Sequence, residues 1–499
     1  MLPPYYFDTA AGDILDLYSQ LEQVILRDIV RRLVKTGDMT AMSIWQAERL
    51  QESGMLMDDI IQAVASMTNA SAAQVKALFE DAGVRSMQTD FAIYKAAGLT
   101  PLPLKQSPAA ARILQAGIQK TSGYLQNLTM TTASTGQQAY IQATTAAEMQ
   151  VESGAFDYVT AIRRAVQQAA EDGATVLYPS GHHDQLDVAV RRAVLTGSSQ
   201  TAAQVSLGYA DDMGCDLVET TAHPGARPSH AVWQGRVFCR NGKRGKYPDF
   251  VSSTGYGTGA GLCGWNCRHS FFPFFEGLSE SAYPRDKLKE YEDKAVTYND
   301  QTIKYYDATQ IQRGMERVIR ATKRELAGYD EGMKSSDEKL RNAFGEQFSA
   351  ASVKLKQQEA TLKDFTGQTG LDRQREREQA LGFGRSPAQK AVWAFKSNTL
   401  TNAAGHHIIK VSKTRINGPA NGITQITNAK GGVNRNYYSK TGLQIKQISN
   451  NDHGHKKESA FGKHGEHAHD YIIDEKGIPR HRDARELTSE ERKENEDIL

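Results

Sequence analysis

The 499-residue sequence has few cysteines, almost no net charge and no long apolar run, and each shortage excludes a class of protein. Four cysteines are too few for a disulfide scaffold in a chain of this length. Lysine and arginine number 60 against 58 acidic residues, so any contact with nucleic acid has to come from a local basic surface. Because no segment approaches the ~20 apolar residues of a membrane span, we expect no membrane contact.

The first residues, MLPPYYFDTAAGD, also lack the basic segment and apolar run of a secretory signal. All four cysteines fall between Cys215 and Cys267. We therefore expect a protein that folds in a reducing cytoplasm. The length exceeds what one core supports, and a hydrophobic fraction of 39% is sufficient for folded cores, so several domains are expected.

Helical periodicity, interrupted where proline or glycine accumulates, predicts a mainly α, multidomain protein. Three prolines at 99–108 separate two helical regions, and short β-prone runs such as AVWQGRVF appear where helical periodicity stops. Near the end of the chain, Thr488 and Glu491 have the spacing of a helix capping box. The predicted regions are two helical ones at 1–98 and 109–196, an α+β domain at 197–281, a long helical arm at 285–385, and a small α+β, His-rich module at 401–499.

The arm contains a helix, 311–326, with a stripe of arginines. The spacing i, i+4, i+7, i+11 places them on one narrow arc opposite the apolar residues Ile311, Met315, Val318, Ile319 and Leu326. A charged helix face is usually only solvated, but four arginines without acidic neighbours on that arc could meet phosphates of DNA or an acidic protein surface. The stripe consists of Arg313, Arg317, Arg320 and Arg324.

The stretch GLCGWNCRHSFFPF, residues 261–274, combines two cysteines, a histidine and several phenylalanines. Cys263, Cys267 and His269 are ligand types that zinc accepts. The two cysteines are spaced CxxxC and lack a second close pair, which favours structural packing over a metal site or redox chemistry. Zinc at these three residues stays an alternative, and no other cofactor is expected.

Upstream, the run RPSHAVWQGRVF at 227–238 and the later GWNCRHSFFPF together resemble the signature of the Mu F-type phage head-morphogenesis domain. The position after the last arginine is often cysteine in that wider family; here it is His269, as in the subgroup called phage minor capsid protein 2. The matching residues are Arg227, Pro228, His230, Gly235, Phe238, Gly264, Asn266, Cys267 and Arg268.

The resemblance to phage minor capsid protein 2 extends over roughly residues 1–390 and includes the segments at 254–280 and 306–328. It implies a structural minor head protein of a tailed phage of Gram-positive bacteria, or of a prophage. Such a protein would lie near the portal in the virion, after assembly in the host cytoplasm, and act in head assembly and DNA packaging or delivery. The implied partners are portal, major capsid or scaffold proteins and packaged DNA. The family brings no catalytic residue set.

The C-terminal module has a histidine-rich stretch at 451–471, which lies beyond that resemblance and includes His453 and His455. Imidazole and carboxylate at this density can build a metal site or an acid–base pair for phosphodiester cleavage, although a polar surface loop is the simpler interpretation. By its placement the module resembles a toxin-like enzyme appended to a head protein. Two alternatives for the protein therefore stay open: a phage-borne effector whose C-terminal module is nuclease-like, and a zinc-binding interaction module at Cys263 and Cys267. The candidate catalytic residues are His464, Glu466, His467, His469 and Asp470.

Overall fold

The protein is described here from a computed structural model. The prediction of a mainly α, multidomain chain is confirmed, because 58% of the protein is helical and the remainder includes several small sheets and one of seven strands. No helix in the described ranges is both long enough and apolar enough to cross a membrane. The structure describes residues 1–35, 42–153, 157–172, 174–379, 385–402, 404–411, 416, 418, 422–429, 431–439, 443–454, 461–473 and 479–499.

Most of the described residues up to Asp212 are helical. The helix Met42–Ala96 ends before the prolines, where Gly98 adopts a left-handed conformation at φ +77°. Ser107 then starts the next helix by accepting a hydrogen bond from the Ala110 backbone at 3.2 Å, with Pro108 at the first helical position. A short 3-10 turn, Leu104–Gln106, lies between them. The elements are α1 (Tyr6–Thr9), α2 (Gly12–Lys35), α3 (Met42–Ala96), α4 (Pro108–Glu152), α5 (Tyr158–Asp172), the hairpin strands β1 (Thr175–Leu177) and β2 (His183–Gln185), and α6 (Leu186–Asp212).

The small α+β domain follows and contains a three-stranded antiparallel sheet of order β4-β3-β5. The expectation that AVWQGRVF is a strand is wrong for most of its length. Pro228 begins a short helix instead, and Gly235 turns the chain at φ +64° before the strand starts. The elements are β3 (Leu217–Thr220), α7 (Pro228–Ala231), β4 (Val237–Cys239), α8 (Phe250–Thr254) and β5 (Phe271–Phe274).

The region predicted as a helical arm also contains a β-hairpin. Asn299 and Asp300 both have positive φ, 48° and 61°, which is the backbone of a two-residue hairpin turn. The elements are α9 (Arg285–Asp293), β6 (Ala295–Tyr298), β7 (Gln301–Lys304), α10 (Tyr305–Gly332), α11 (Glu338–Thr369), α12 (Arg375–Glu378) and α13 (Arg385–Asn398).

The helices of this region pack onto the N-terminal helices through one continuous hydrophobic core, and together they are called the helical body below. Buried side chains of α2, α4, α6, α10 and α11 all contribute to it. Burial of this apolar surface is the main stabilising contribution, at roughly 25 cal/mol per Å². Representative members are Leu21, Tyr140, Val190, Ile319 and Phe344.

The arginine stripe on α10 differs from the prediction of one buried and one solvated face. Arg324 is only 4% exposed; its Nε donates to the Ala170 carbonyl at 3.2 Å, and its Nη1 lies 3.6 Å from the Glu22 carboxylate. Ile311 and Val318, expected in the core, are 40% and 50% exposed. The reason is that α10 packs against α11 on one side and against α2 and α5 on another, so that its arginine face is partly enclosed.

The C-terminal module is a seven-stranded sheet with its own core around Ile408, Ile448 and Ala468. Adjacent strands are antiparallel except β9 and β10, which are parallel. The predicted capping box of the last helix is present, with Thr488 and Glu491 in both hydrogen bonds. The elements are β8 (Thr399–Thr401), β9 (His407–Lys410), β10 (Ile423–Thr427), β11 (Val433–Tyr438), β12 (Gln444–Ser449), β13 (His467–Ile473), β14 (Pro479–His481) and α14 (Ser489–Glu494).

Candidate metal centre and arginine-lined cavity

Residues 261–269, called the signature loop below, follow α8 in a tight path that requires glycine. A Cβ atom added to Gly264 would come within 3.0 Å of backbone atoms, including the Thr258 carbonyl oxygen at 2.7 Å. Cys263 and Asn266 themselves adopt positive φ, 58° and 55°, a conformation that few non-glycine residues accept. The loop is thereby fixed in a form that directs the residues at its end into the interior.

The signature loop brings Cys267 and His269 next to His230 of α7. Cys267 Sγ lies 3.6 Å from Nδ1 of His230 and 3.6 Å from Nδ1 of His269. One ligand atom from each of the three residues falls within 4.8 Å of the others, and all three side chains are buried. We call these residues the His-Cys-His cluster.

The outer nitrogens of the two imidazoles are held by oxygen acceptors. His230 Nε2 lies 2.8 Å from the Ala260 carbonyl oxygen, and His269 Nε2 lies 3.1 Å from Oε1 of Gln234. A carbonyl oxygen can only accept, so each Nε2 carries a proton and donates it. Each Nδ1 therefore directs a lone pair at the sulfur of Cys267.

Aromatic rings enclose the cluster. The rings of His223 and Trp233 lie 4.4 Å and 4.9 Å from that of His269. Burial lowers the pKa of His230 and, well below its ordinary value, that of His269, and it raises the pKa of the Cys267 thiol. A raised thiol pKa disfavours the free thiolate, which is the nucleophile, and this argues against redox or covalent chemistry at this cysteine.

Only part of the ligand set predicted for zinc is brought together. Cys267 and His269 converge, but the third member of the described group is His230 rather than Cys263. The Cys263 Sγ instead points to the carbonyl oxygen of His269 at 3.7 Å, and burial raises the pKa of its thiol. Sequence spacing could not reveal His230 as a neighbour, because it precedes Cys267 by 37 residues and arrives through the fold.

The other signature residues support this arrangement. Arg227 donates from Nη2 to the Trp265 carbonyl at 2.6 Å and so ties the start of α7 to the signature loop. Pro228 occupies the first helical position of α7. At Gly235, a Cβ atom would lie 2.6 Å from Leu288 and 2.8 Å from Tyr283, so this close packing requires glycine.

A cavity of about 280 Å³ lies on the other side of the signature loop, between it and the helical body. Gly264, Asn266 and Cys267 contribute to its wall, and the carboxylates of Asp187 and Glu316 face it as well. Six arginines line it: Arg191, Arg268, Arg313, Arg317, Arg320 and Arg377. Three of the four stripe arginines therefore belong to this cavity, whereas Arg324 does not.

The cavity concentrates positive charge that its own carboxylates only partly neutralise. Arg320 forms an ion pair with Asp187. Burial, followed by repulsion from Arg377, lowers the pKa of both Arg191 and Arg313 to about 10. Arg317 is exposed. Guanidinium groups held this close together favour an anion in the space between them.

The histidines of the C-terminal module form a row of ring contacts. His467 and His469 share a face of β13, as their two-residue spacing predicts, with ring centroids 5.0 Å apart. His453 continues the row at 5.3 Å from His467, and His481 of β14 at 5.2 Å from His469. The sequence did not single out His481, and His455 lies outside the described residues.

The two candidate carboxylates of this module hold α14 and the preceding segment onto the sheet. Glu466 accepts from Arg492 at 2.9 Å and from the His464 backbone at 2.7 Å; burial alone would raise its pKa, but these hydrogen bonds outweigh it and lower the pKa to about 2. The hydrogen bond from Arg485, at 2.6 Å, lowers the pKa of Asp470. His464, the remaining candidate, is exposed.

Fold and site together define a mainly helical, multidomain protein in which a small α+β domain is set against a helical body. The chain belongs to the family described as phage minor capsid protein 2, whose model matches residues 2–366. The protein is therefore a phage minor capsid protein by family, as the sequence resemblance predicted.

One curated relative supports the same assignment. The chain is 26% identical over 331 residues, 62% of its own length and 85% of the relative's, to a protein named "Structural protein" of Lactococcus phage LL-H. No solved structure matches the chain. The family match ends at residue 366, so the seven-stranded C-terminal sheet lies beyond it.

Proposed function

We propose that this minor capsid protein acts close to the portal of a tailed phage or prophage, in head assembly and in DNA packaging or delivery. Its partners in this proposal are portal, major capsid or scaffold proteins and packaged DNA. It assembles in the host cytoplasm and remains in the virion. Family membership supports the structural role, and the arginine-lined cavity is the observation that carries the contact with DNA.

The cavity would attract an anion electrostatically. Six guanidinium groups face two carboxylates, and burial together with mutual repulsion already lowers the pKa of two of the arginines. An entering phosphate would relieve that repulsion, and arginine offers paired N–H groups that match phosphate oxygens. The net charge of the whole chain is only +2, so a polyanion would need a local concentration of positive charge such as this one.

The double variant Arg313→Ala/Arg317→Ala is expected to weaken binding of double-stranded DNA at least tenfold. Each phosphate contact that is lost should also reduce the slope of log K against log[salt] by about 0.9. Both quantities can be measured by fluorescence anisotropy with a labelled duplex at several salt concentrations. Arg112→Ala, an exposed arginine of α4, is the matched control and should bind like the wild type. Equal affinity and slope for the double variant and the control would contradict the DNA contact.

A second candidate function is a nuclease-like effector activity of the C-terminal module, and the row of histidine rings favours it. Because Glu466 and Asp470 are engaged by arginines, the histidines themselves would carry acid–base chemistry. The full-length protein should then cleave nucleic acid with a divalent metal and lose this activity in His467→Ala/His469→Ala. The exposed His183→Ala is the control. An inactive wild type, or a double variant as active as the wild type, would dismiss this function.

A further inference from the structure

We propose that His230, Cys267 and His269 bind a zinc ion that fastens α7 to the signature loop. The number of protons in the cluster favours a bound cation. The Nδ1 atoms of His230 and His269 each direct a lone pair at Cys267 Sγ. The proton of each ring lies on Nε2 and is donated to Ala260 in one case and to Gln234 in the other. A thiol has one proton and can satisfy only one of them. The lone pair of one buried nitrogen would then stay without a proton. A zinc ion, in contrast, accepts electron pairs from both nitrogens and from the sulfur at once.

The distances between the sulfur and the two nitrogens also fit a zinc ion. With Zn–S at about 2.3 Å, Zn–N at about 2.05 Å and a tetrahedral angle of about 109°, a sulfur and a nitrogen bound to the same ion lie ~3.6 Å apart. Both Sγ–Nδ1 distances in the cluster are 3.6 Å. Both sulfur–nitrogen separations therefore match those that a shared zinc ion imposes.

The hydrogen bonds around the three ligand residues are also those of a metal site. Histidines that bind metal usually donate the proton of their other ring nitrogen to a carbonyl or carboxylate oxygen, and here both do. The backbone N–H of His269 also points at Cys267 Sγ, 3.4 Å away, where it would stabilise a thiolate. These contacts fix both rings and the sulfur independently of the ion.

Sulfur and imidazole ligands in tetrahedral positions select zinc among the common divalent ions. Three protein ligands leave one position, to be filled by His223, whose ring lies 4.4 Å from that of His269, or by water. Binding displaces the thiol proton and converts Cys267 to a thiolate. The ion would cross-link residues 37 positions apart in a domain with only three short strands.

The test is the metal content and cobalt spectrum of the full-length protein. After purification without chelators and with added zinc, it should retain about one zinc per chain through dialysis. Cobalt loaded in place of zinc should give thiolate-to-cobalt charge-transfer absorption and the intense visible bands of tetrahedral cobalt. A folded protein that retains no zinc and gives no charge-transfer band would overturn the proposal.

Variants locate the ligands. Cys267→Ala should lose the zinc and the charge-transfer band, whereas Cys263→Ala, four residues away and equally buried, should keep both. Equal loss in the two variants would contradict this ligand set. Because Cys267→Ala could fail to fold, His269→Cys provides a gain of signal. It should retain the ion and strengthen the charge-transfer band through a second thiolate, and an unchanged band would count against His269 as a ligand.

Discussion

Replacing Gly264 by alanine is expected to lower the free energy of unfolding by about 3 kcal/mol, the upper part of the range for overpacking a close-packed site. A Cβ at this position would meet backbone carbonyl groups of Thr258 and Gly259, which cannot move aside as a flexible side chain would. Urea denaturation followed by circular dichroism measures the loss. The signature loop should also shift and so displace Cys267 and His269, two of the ligands of the proposed zinc site.

The matched control is Gly123→Ala in the interior of α4. Nothing lies within 4 Å of a Cβ at that position, so alanine should stabilise the protein by up to about 1 kcal/mol through its higher helix propensity. If Gly264→Ala unfolded at the urea concentration of the wild type, the close backbone approach in the signature loop would be refuted.

Removing the guanidinium of Arg435 is expected to destabilise the C-terminal module by about 3 kcal/mol, because hydrogen bonds from a buried charged group to the buried acceptors Asn495 and Gln425 are lost. Arg435 is 0% exposed; it donates to Asp497 at 2.8 Å, to Asn495 at 3.0 Å and to Gln425 at 3.0 Å. In Arg435→Ala each of these acceptors loses one donor, and the hydroxyl of Tyr437 remains as the hydrogen bond between β11 and Asn495.

Hydrogen exchange measured by mass spectrometry should report this effect as faster exchange in the β-strands of the module, with the helical body unchanged. Arg482→Ala removes an exposed arginine of the same module and should change stability by no more than about 0.5 kcal/mol. Similar exchange in Arg435→Ala and Arg482→Ala would show that Arg435 does not hold the last residues of the chain on the sheet.

Local pattern predicted the helical parts of the fold well, because helix formation depends on neighbours three and four residues away. The capping box at Thr488 and Glu491 is an example. The prediction of which side chains of α10 are buried was wrong. The wheel of α10 separates arginines from apolar residues, yet packing by helices on two sides buries Arg324 and leaves Val318 exposed.

The candidate sites show the same limit. Cys267 and His269 are visible as neighbours in sequence, but His230 joins them only because α7 and the signature loop pack together. Glu466 and Asp470 look reactive beside histidines, whereas Arg492 and Arg485, fifteen or more residues later, engage them. Long-range partners of this kind leave no periodic signal in a single sequence.

The central claim, a portal-proximal structural role, is tested most directly by the protein content of purified heads. Particles of the phage or induced prophage that encodes this chain would be banded on a density gradient and analysed by quantitative mass spectrometry, with portal pull-down from the same lysate. The account predicts a few copies per particle and recovery with the portal. A chain found only free in the lysate, absent from both procapsids and mature heads, would contradict it.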